Sequence, residues 1–129
     1  MSTGTRVRYR KLDGFAHLRA AAGYSAGGLS RLWKEAAFRH EILAGISLAV
    51  IYGWLHVKPS IALAAVVLFL LLIAAEALNT AIEEIIDRIS PEISETGRHA
   101  KDLGSLAVFC MITANAVLLG YAVATFLLG

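Results

Sequence analysis

Cysteine is almost absent from this 129-residue chain. Cys110 stands alone, so no intrachain disulfide can form and no metal cluster can be built on thiolates. Charge is scarce as well. Asp, Glu, Lys and Arg make up 17% of the residues, where a soluble domain carries about 25%. The shortage is concentrated: none of the four occurs in residues 42–57, 59–75 or 103–129. A membrane-crossing helix needs roughly 20 mostly apolar residues, so three such segments occupy about half the chain. Too little remains for a separate soluble catalytic domain or a full dinucleotide-binding fold. Gly23 and Gly27-Gly28 could cradle phosphates, but no Gly-Lys-Ser/Thr follows them, which excludes a Walker loop. A cleavable signal peptide is not expected either, because the first apolar stretch begins only near Ile42.

What is abundant is apolar surface, at 57% of residues, and positive charge near the N-terminus. Residues 1–40 hold Arg6, Arg8, Arg10, Lys11, Arg19, Arg31, Lys34 and Arg39 against Asp13 and Glu35. That excess suits anionic lipid headgroups. It lacks the interleaved aromatics of a nucleic-acid surface, so no nucleic-acid partner is expected. The reading is therefore all-α: a membrane protein with three transmembrane helices preceded by an N-terminal amphipathic interfacial helix. Residues 1–14 read as a flexible basic tail and 15–128 as the membrane domain. Its interfacial segment is 15–40, where Leu29, Leu32, Trp33, Ala36 and His40 would share one helical face. Its spans are about 41–57, 61–90 including a cytoplasmic extension, and 102–128. Ser60 is the expected cap of the second span, Pro91 its limit, and 91–101 a polar loop. The distribution of Lys and Arg puts the N-terminus and the Arg88/Arg98/Lys101 loop on the cytoplasmic side.

Four carboxylates break this pattern. Glu76, Glu83, Glu84 and Asp87 follow directly on the most apolar run of the chain. An acidic side chain at membrane depth costs roughly 2.5–3.5 kcal/mol on insertion scales and marks a functional site by default. At about 100° per residue, Asn79, Glu83 and Asp87 fall within roughly 60° of Glu76 around the helix, with Glu84 to the side. Oxygen ligands in such a ladder suit a hard cation, and Mg²⁺ commonly takes one or two carboxylates plus substrate phosphates. A carboxylate in a drier place beside it can act as a general base. A second polar group, Arg98-His99-Ala100-Lys101-Asp102, precedes the third apolar run; Lys101 and Asp102 are expected at a helix N-terminus, where free N–H groups meet phosphate oxygens. His40 and His99 read as exposed boundary residues.

The string from Glu76 through Asn79, Glu83 and Asp87 to Arg88, followed by Ala100-Lys101-Asp102-Leu103-Gly104-Ser105, resembles the integral-membrane diacylglycerol kinases of bacteria. Ala22-Gly23-Tyr24-Ser25 and Trp33-Lys34-Glu35 through Phe38-Arg39-His40-Glu41 are similar to the amphipathic region of that family. The resemblance implies a homotrimer in the bacterial inner membrane, with multi-pass subunits, a cytoplasmic N-terminus and active sites shared between subunits at the cytoplasmic face. It implies ATP-dependent transfer of the γ-phosphate to the hydroxyl of diacylglycerol, giving phosphatidic acid, with Mg²⁺ as cofactor. Glu76 would be the catalytic base. Glu35 and Glu83 would hold the metal and, with Tyr24, Glu92, Lys101 and Asp102, the nucleotide, while Asn79 and Asp87 shape the site. His17 stands where the family often has Arg, and Arg19 lies two residues on. Gly23, Ser25, Trp54, Glu76 and Ser105 would meet the lipid.

Three other readings stay open at this level, one of them a structural or assembly protein with a basic lipid-binding tail. Undecaprenol kinases run the same mechanism on a polyprenol. A small oligomeric ion channel could line its pore with Glu76, Asn79 and Glu83, but gives no reason for Glu35 or for Lys101-Asp102.

Overall fold

The computed structural model describes residues 13–92 and 94–129. Residues 1–12 of the expected basic tail, with Arg6, Arg8, Arg10 and Lys11, lie outside the described residues, as does Ile93 in the expected loop. The described chain is all-helical: α1 (Gly14–Leu32), α2 (Ala36–Leu55), α3 (Pro59–Ile89) and α4 (Glu95–Leu128). It divides into two compact units, one ending at Arg31 and one running from Leu32 to Gly129. The first, taken by itself, is α1.

The continuous helical face expected from Leu29 to His40 does not form, because α1 stops at Leu32 and α2 restarts at Ala36. The backbone N–H of Glu35 closes a turn on the Leu32 carbonyl at 2.9 Å. Glu35 itself is extended (φ −83°, ψ 126°) and caps α2. Arg39 locks this turn by donating to the Trp33 carbonyl at 3.0 Å. The Trp33 ring meets Phe38 edge-on at 6.1 Å, and Phe38 is fully buried.

From α2 to α3 the reversal is tight. His56 adopts the left-handed conformation (φ 53°, ψ 47°), and the N–H groups of His56 and Val57 close on the Gly53 and Tyr52 carbonyls. Lys58, rather than Ser60, caps α3. Pro59 at the first helical position explains the shift, since it has no N–H to satisfy and its φ is already helical. Beyond Glu76 the helix continues, as expected, to Ile89, ahead of Pro91. The polar loop is shorter than 91–101: α4 begins at Glu95, because the Ser94 Oγ accepts a hydrogen bond from the Gly97 N–H at 3.0 Å.

Two helices, α3 and α4, are long and apolar enough to cross a membrane, and only 11% of the apolar window of each is buried. At about 1.5 Å per residue the 31 residues of α3 extend roughly 46 Å, well beyond a hydrocarbon core of about 30 Å. Arg39, His40 and Glu41 sit near the start of α2. They leave it an uncharged stretch of about 21 Å within a helix of about 30 Å.

Packing is uneven along the helices. Near the α2–α3 turn Tyr52, Leu55 and Ala122 form a buried cluster with Leu48, Ile61, Ala65 and Leu118 around it. Farther along, α2 approaches α3 closely at Gly45, where a Cβ would lie 2.4 Å from the Phe69 ring. Asn115 on α4 bridges to α3, its Nδ2 donating to the Leu68 carbonyl at 3.1 Å and to the Met111 carbonyl at 2.8 Å. Beyond that bridge polar residues join Leu72, Val108 and Phe38 among the buried positions.

Candidate functional site

Three polar residues of α3 are buried in succession: Glu76 (6% exposed), Asn79 (9%) and Thr80 (6%). They share one helical face, on which Asn79 meets Gly104 of α4; the buried residues in that half of α4 are Gly97, Gly104 and Val108. Helical periodicity explains the arrangement, since residues three and four apart share a face. Glu83 is half-buried one turn further on, and the Asn79 Nδ2 donates to its Oε1 at 3.4 Å. Glu84 and Asp87 are exposed. The ladder thus runs from a dry end at Glu76 to a wet end at Asp87.

At the wet end Asp87 accepts a 2.5 Å hydrogen bond from the Nζ of Lys101, tying α3 to α4. This bond holds the Lys101 ammonium above its ordinary pKa, with the Asp87 and Glu83 charges adding to the effect and partial desolvation opposing it. A cavity of about 250 Å³ opens beside the pair, lined in part by Ser90, Glu92, Arg98 and Asp102. Three of the nucleotide-binding candidates of this unit, Glu92, Lys101 and Asp102, therefore border one hollow together with Asp87, while Glu35 and Glu83 do not line it. Their setting differs from expectation in one respect. Because α4 starts at Glu95, Lys101 and Asp102 lie well inside the helix, where their N–H groups are taken up by intrahelical bonds. Any anion held here is held by side chains.

Sequence reasoning passed over Glu41. On α2, its carboxyl faces that of Glu76 within hydrogen-bonding reach, and its Oε2 is buried without a partner. It reads in sequence as a boundary residue before an apolar run. The signal that finds it is the hairpin: Glu41 and Glu76 are nearly equidistant from Lys58, so the tight reversal brings them opposite one another.

The remaining candidates are less concentrated. Glu35 is half-buried at the cap of α2. Trp54 and Ser105 are exposed, Trp54 with its ring 5.6 Å from that of Phe126. His17, Gly23, Tyr24 and Ser25 belong to α1, in the other unit, and are exposed. His40 and His99 are exposed as expected. Among the described residues no three His, Cys, Asp or Glu side chains gather as a metal site. Glu35 and Glu83, the expected metal ligands, stand apart in the chain, one at the cap of α2 and one on α3; carboxylate oxygens are the donor type a hard cation takes.

Comparison with known proteins points to one family. The family model for prokaryotic diacylglycerol kinase matches residues 23–124. A diacylglycerol kinase of Sinorhizobium sp is 52% identical over 113 residues, covering 88% of this chain and 82% of that protein. The diacylglycerol kinase of Escherichia coli K12 is 42% identical over 105 residues, 81% of this chain and 86% of its own. The Haemophilus influenzae diacylglycerol kinase is 35% identical over 114 residues, with 85% and 94% covered.

Proposed function

The chain belongs to the prokaryotic diacylglycerol kinase family, and from that premise we propose that the acidic end of α3 carries out its reaction. That reaction is ATP-dependent phosphorylation of diacylglycerol at a membrane. The observation that carries the proposal is Glu76, a carboxylate 6% exposed on a helix long and apolar enough to cross a bilayer.

In this reading Glu76 accepts the proton of the lipid hydroxyl as that oxygen attacks the γ-phosphorus of ATP. The new O–P bond forms as the bond to the β,γ-bridging oxygen breaks, and ADP leaves. Phosphoryl transfer depends on charge neutralisation and in-line positioning more than on covalent catalysis, which suits a site built from carboxylates and one lysine. Lys101 neutralises phosphate oxygens, and Asp87 aims its ammonium. Asn79 orients Glu83 through the amide hydrogen bond. Glu35 and Glu83 would hold Mg²⁺, which supplies charge neutralisation on the triphosphate when bound. Tyr24, Glu92 and Asp102 border the nucleotide, with His17 in the place of a cationic contact. Gly23, Ser25, Trp54 and Ser105 face the lipid.

The finer arrangement follows the same premise. We assign three spans, with α2 as the first, an N-terminus in the cytoplasm of the bacterial inner membrane, and a homotrimer whose sites lie between subunits. Large apolar side chains exposed along α3, such as Leu63, Val66 and Leu70, support burial against lipid or neighbouring subunits.

Transfer of ³²P from Mg·ATP to dioleoylglycerol in mixed micelles tests the reading. Labelled phosphatidic acid is expected from the native protein and about 10²–10⁴-fold less of it from Glu76→Gln. Equal turnover in the two would remove the base assignment, and label on undecaprenol in place of dioleoylglycerol would change the acceptor.

A further inference from the structure

Gly104 packs against the one residue that links the dry and wet ends of the ladder. A Cβ built on Gly104 would lie 2.3 Å from the Asn79 Oδ1, 3.3 Å from its Cγ and 3.5 Å from the Ile82 Cδ1. Both residues are buried, Asn79 to 9% exposure. The amide has one sensible orientation. Its Nδ2 donates to the Glu83 Oε1, since a carboxylate needs a donor, so its oxygen points at Gly104. That oxygen is buried and has no hydrogen-bond partner. A polar atom in that condition stays only where the surroundings hold it.

We propose that Gly104 is a positioning residue of the kinase: the absence of a side chain there seats the Asn79 amide, and through it the Glu83 carboxylate. The inference rests on the site reading above. Its energetics set it apart from ordinary helix packing. Alanine at a helix interior normally stabilises relative to glycine. The atom a methyl would strike is the end of a side chain, so the fold can yield by turning Asn79 away. The site cannot, because turning the amide breaks the link to Glu83. Gly120, on the same helix with nothing within 4 Å of its Cβ position, provides the control.

Gly104→Ala, Gly120→Ala, Asn79→Ser and the Gly104→Ala/Asn79→Ser pair should be assayed in mixed micelles over a Mg²⁺ titration, alongside thermal unfolding. Displacing a site group by about 1 Å costs on the order of 10²-fold in rate, and a loss of that order is expected for Gly104→Ala. The Mg²⁺ concentration for half-maximal activity should rise several-fold, while KM for the lipid and the melting temperature barely move. Gly120→Ala should match the native protein. In the Asn79→Ser background, where the shorter side chain leaves room for the methyl, Gly104→Ala should cost nothing further. The same cost in both backgrounds, full activity of Gly104→Ala, or a melting collapse that Asn79→Ser does not relieve would each overturn the proposal. Native activity in Asn79→Ser alone would instead overturn the reading of the site on which it rests.

Discussion

The two ends of the α2–α4 unit solve packing in opposite ways. Near the α2–α3 turn, Tyr52, Leu55 and Ala122 are buried together with Leu48, Ile61, Ala65 and Leu118 around them. At the other end the buried α3 residues are Glu76, Asn79 and Thr80, with Glu41 opposite, and the apolar burial there falls to Phe38 of α2 and Val108 of α4. The two buried side-chain oxygens without partners among the described residues, Glu41 Oε2 and Asn79 Oδ1, both belong to this second end. A buried polar group left unpaired costs about 1–3 kcal/mol. An end that carries two of them is shaped for what it binds, while the apolar end carries stability. Activity and stability should therefore separate under mutation.

The largest effect should come from the polar end. Glu76→Gln keeps the shape and removes the base; general-base catalysis is worth about 10²–10⁴-fold, so turnover should fall by that factor while the melting temperature holds or rises. A melting temperature that drops in step with activity would erase the contrast between the ends. Leu55→Ala is its mirror image. Removing a buried leucine side chain costs about 2–5 kcal/mol, and here the loss should appear in thermal unfolding, with kcat of the surviving fold unchanged.

Glu41→Gln sharpens the comparison at an intermediate scale. The amide preserves volume and a hydrogen bond toward Glu76 but removes a carboxyl from beside the base. If Glu41 tunes Glu76 without exchanging protons with substrate, kcat should fall by about tenfold, less than the loss of a general base itself. The pH profile of kcat should shift as well. A loss as deep as that of Glu76→Gln would make Glu41 an equal partner in the chemistry.

How much of this was legible in the sequence differs between the same two ends. The uncharged runs gave α3 and α4, and the helical period put Glu76, Asn79 and Glu83 on one face, because both signals are local. The contacts that complete the site are not local. Glu41 meets Glu76 only through the hairpin at His56–Lys58, and Gly104 meets Asn79 only through the α3–α4 crossing. Helix ends differ from the sequence pattern where a single side chain decides them. Ser94 starts α4 well before the apolar run does, which removes Lys101 and Asp102 from the helix N-terminus. Arg39 and the Trp33–Phe38 contact split what reads as one amphipathic helix.

The smallest stability effect is expected at the wettest point of the ladder. Lys101 and Asp87 form an exposed pair, with side chains 40% and 66% exposed, and exposed ion pairs contribute little to folding. Asp87→Asn should therefore leave the melting temperature nearly unchanged. What it should change is the lysine. The Asp87 hydrogen bond holds the ammonium above its ordinary value of 10.5, so this pair favours the folded state below that pH and loses its contribution only as pH rises through the higher folded value. Nothing in that linkage varies between pH 6 and about 9, and any pH dependence of activity there belongs to other groups. With Asp87 replaced, the pH at which Lys101 becomes reactive to an amine-directed label should fall toward 10.5. The free ammonium should at the same time make KM for ATP more sensitive to salt, because a screened charge no longer has a fixed partner to aim it. An unchanged labelling profile would mean that the pair is not formed in the membrane, and that Lys101 is free to meet the nucleotide without first leaving Asp87.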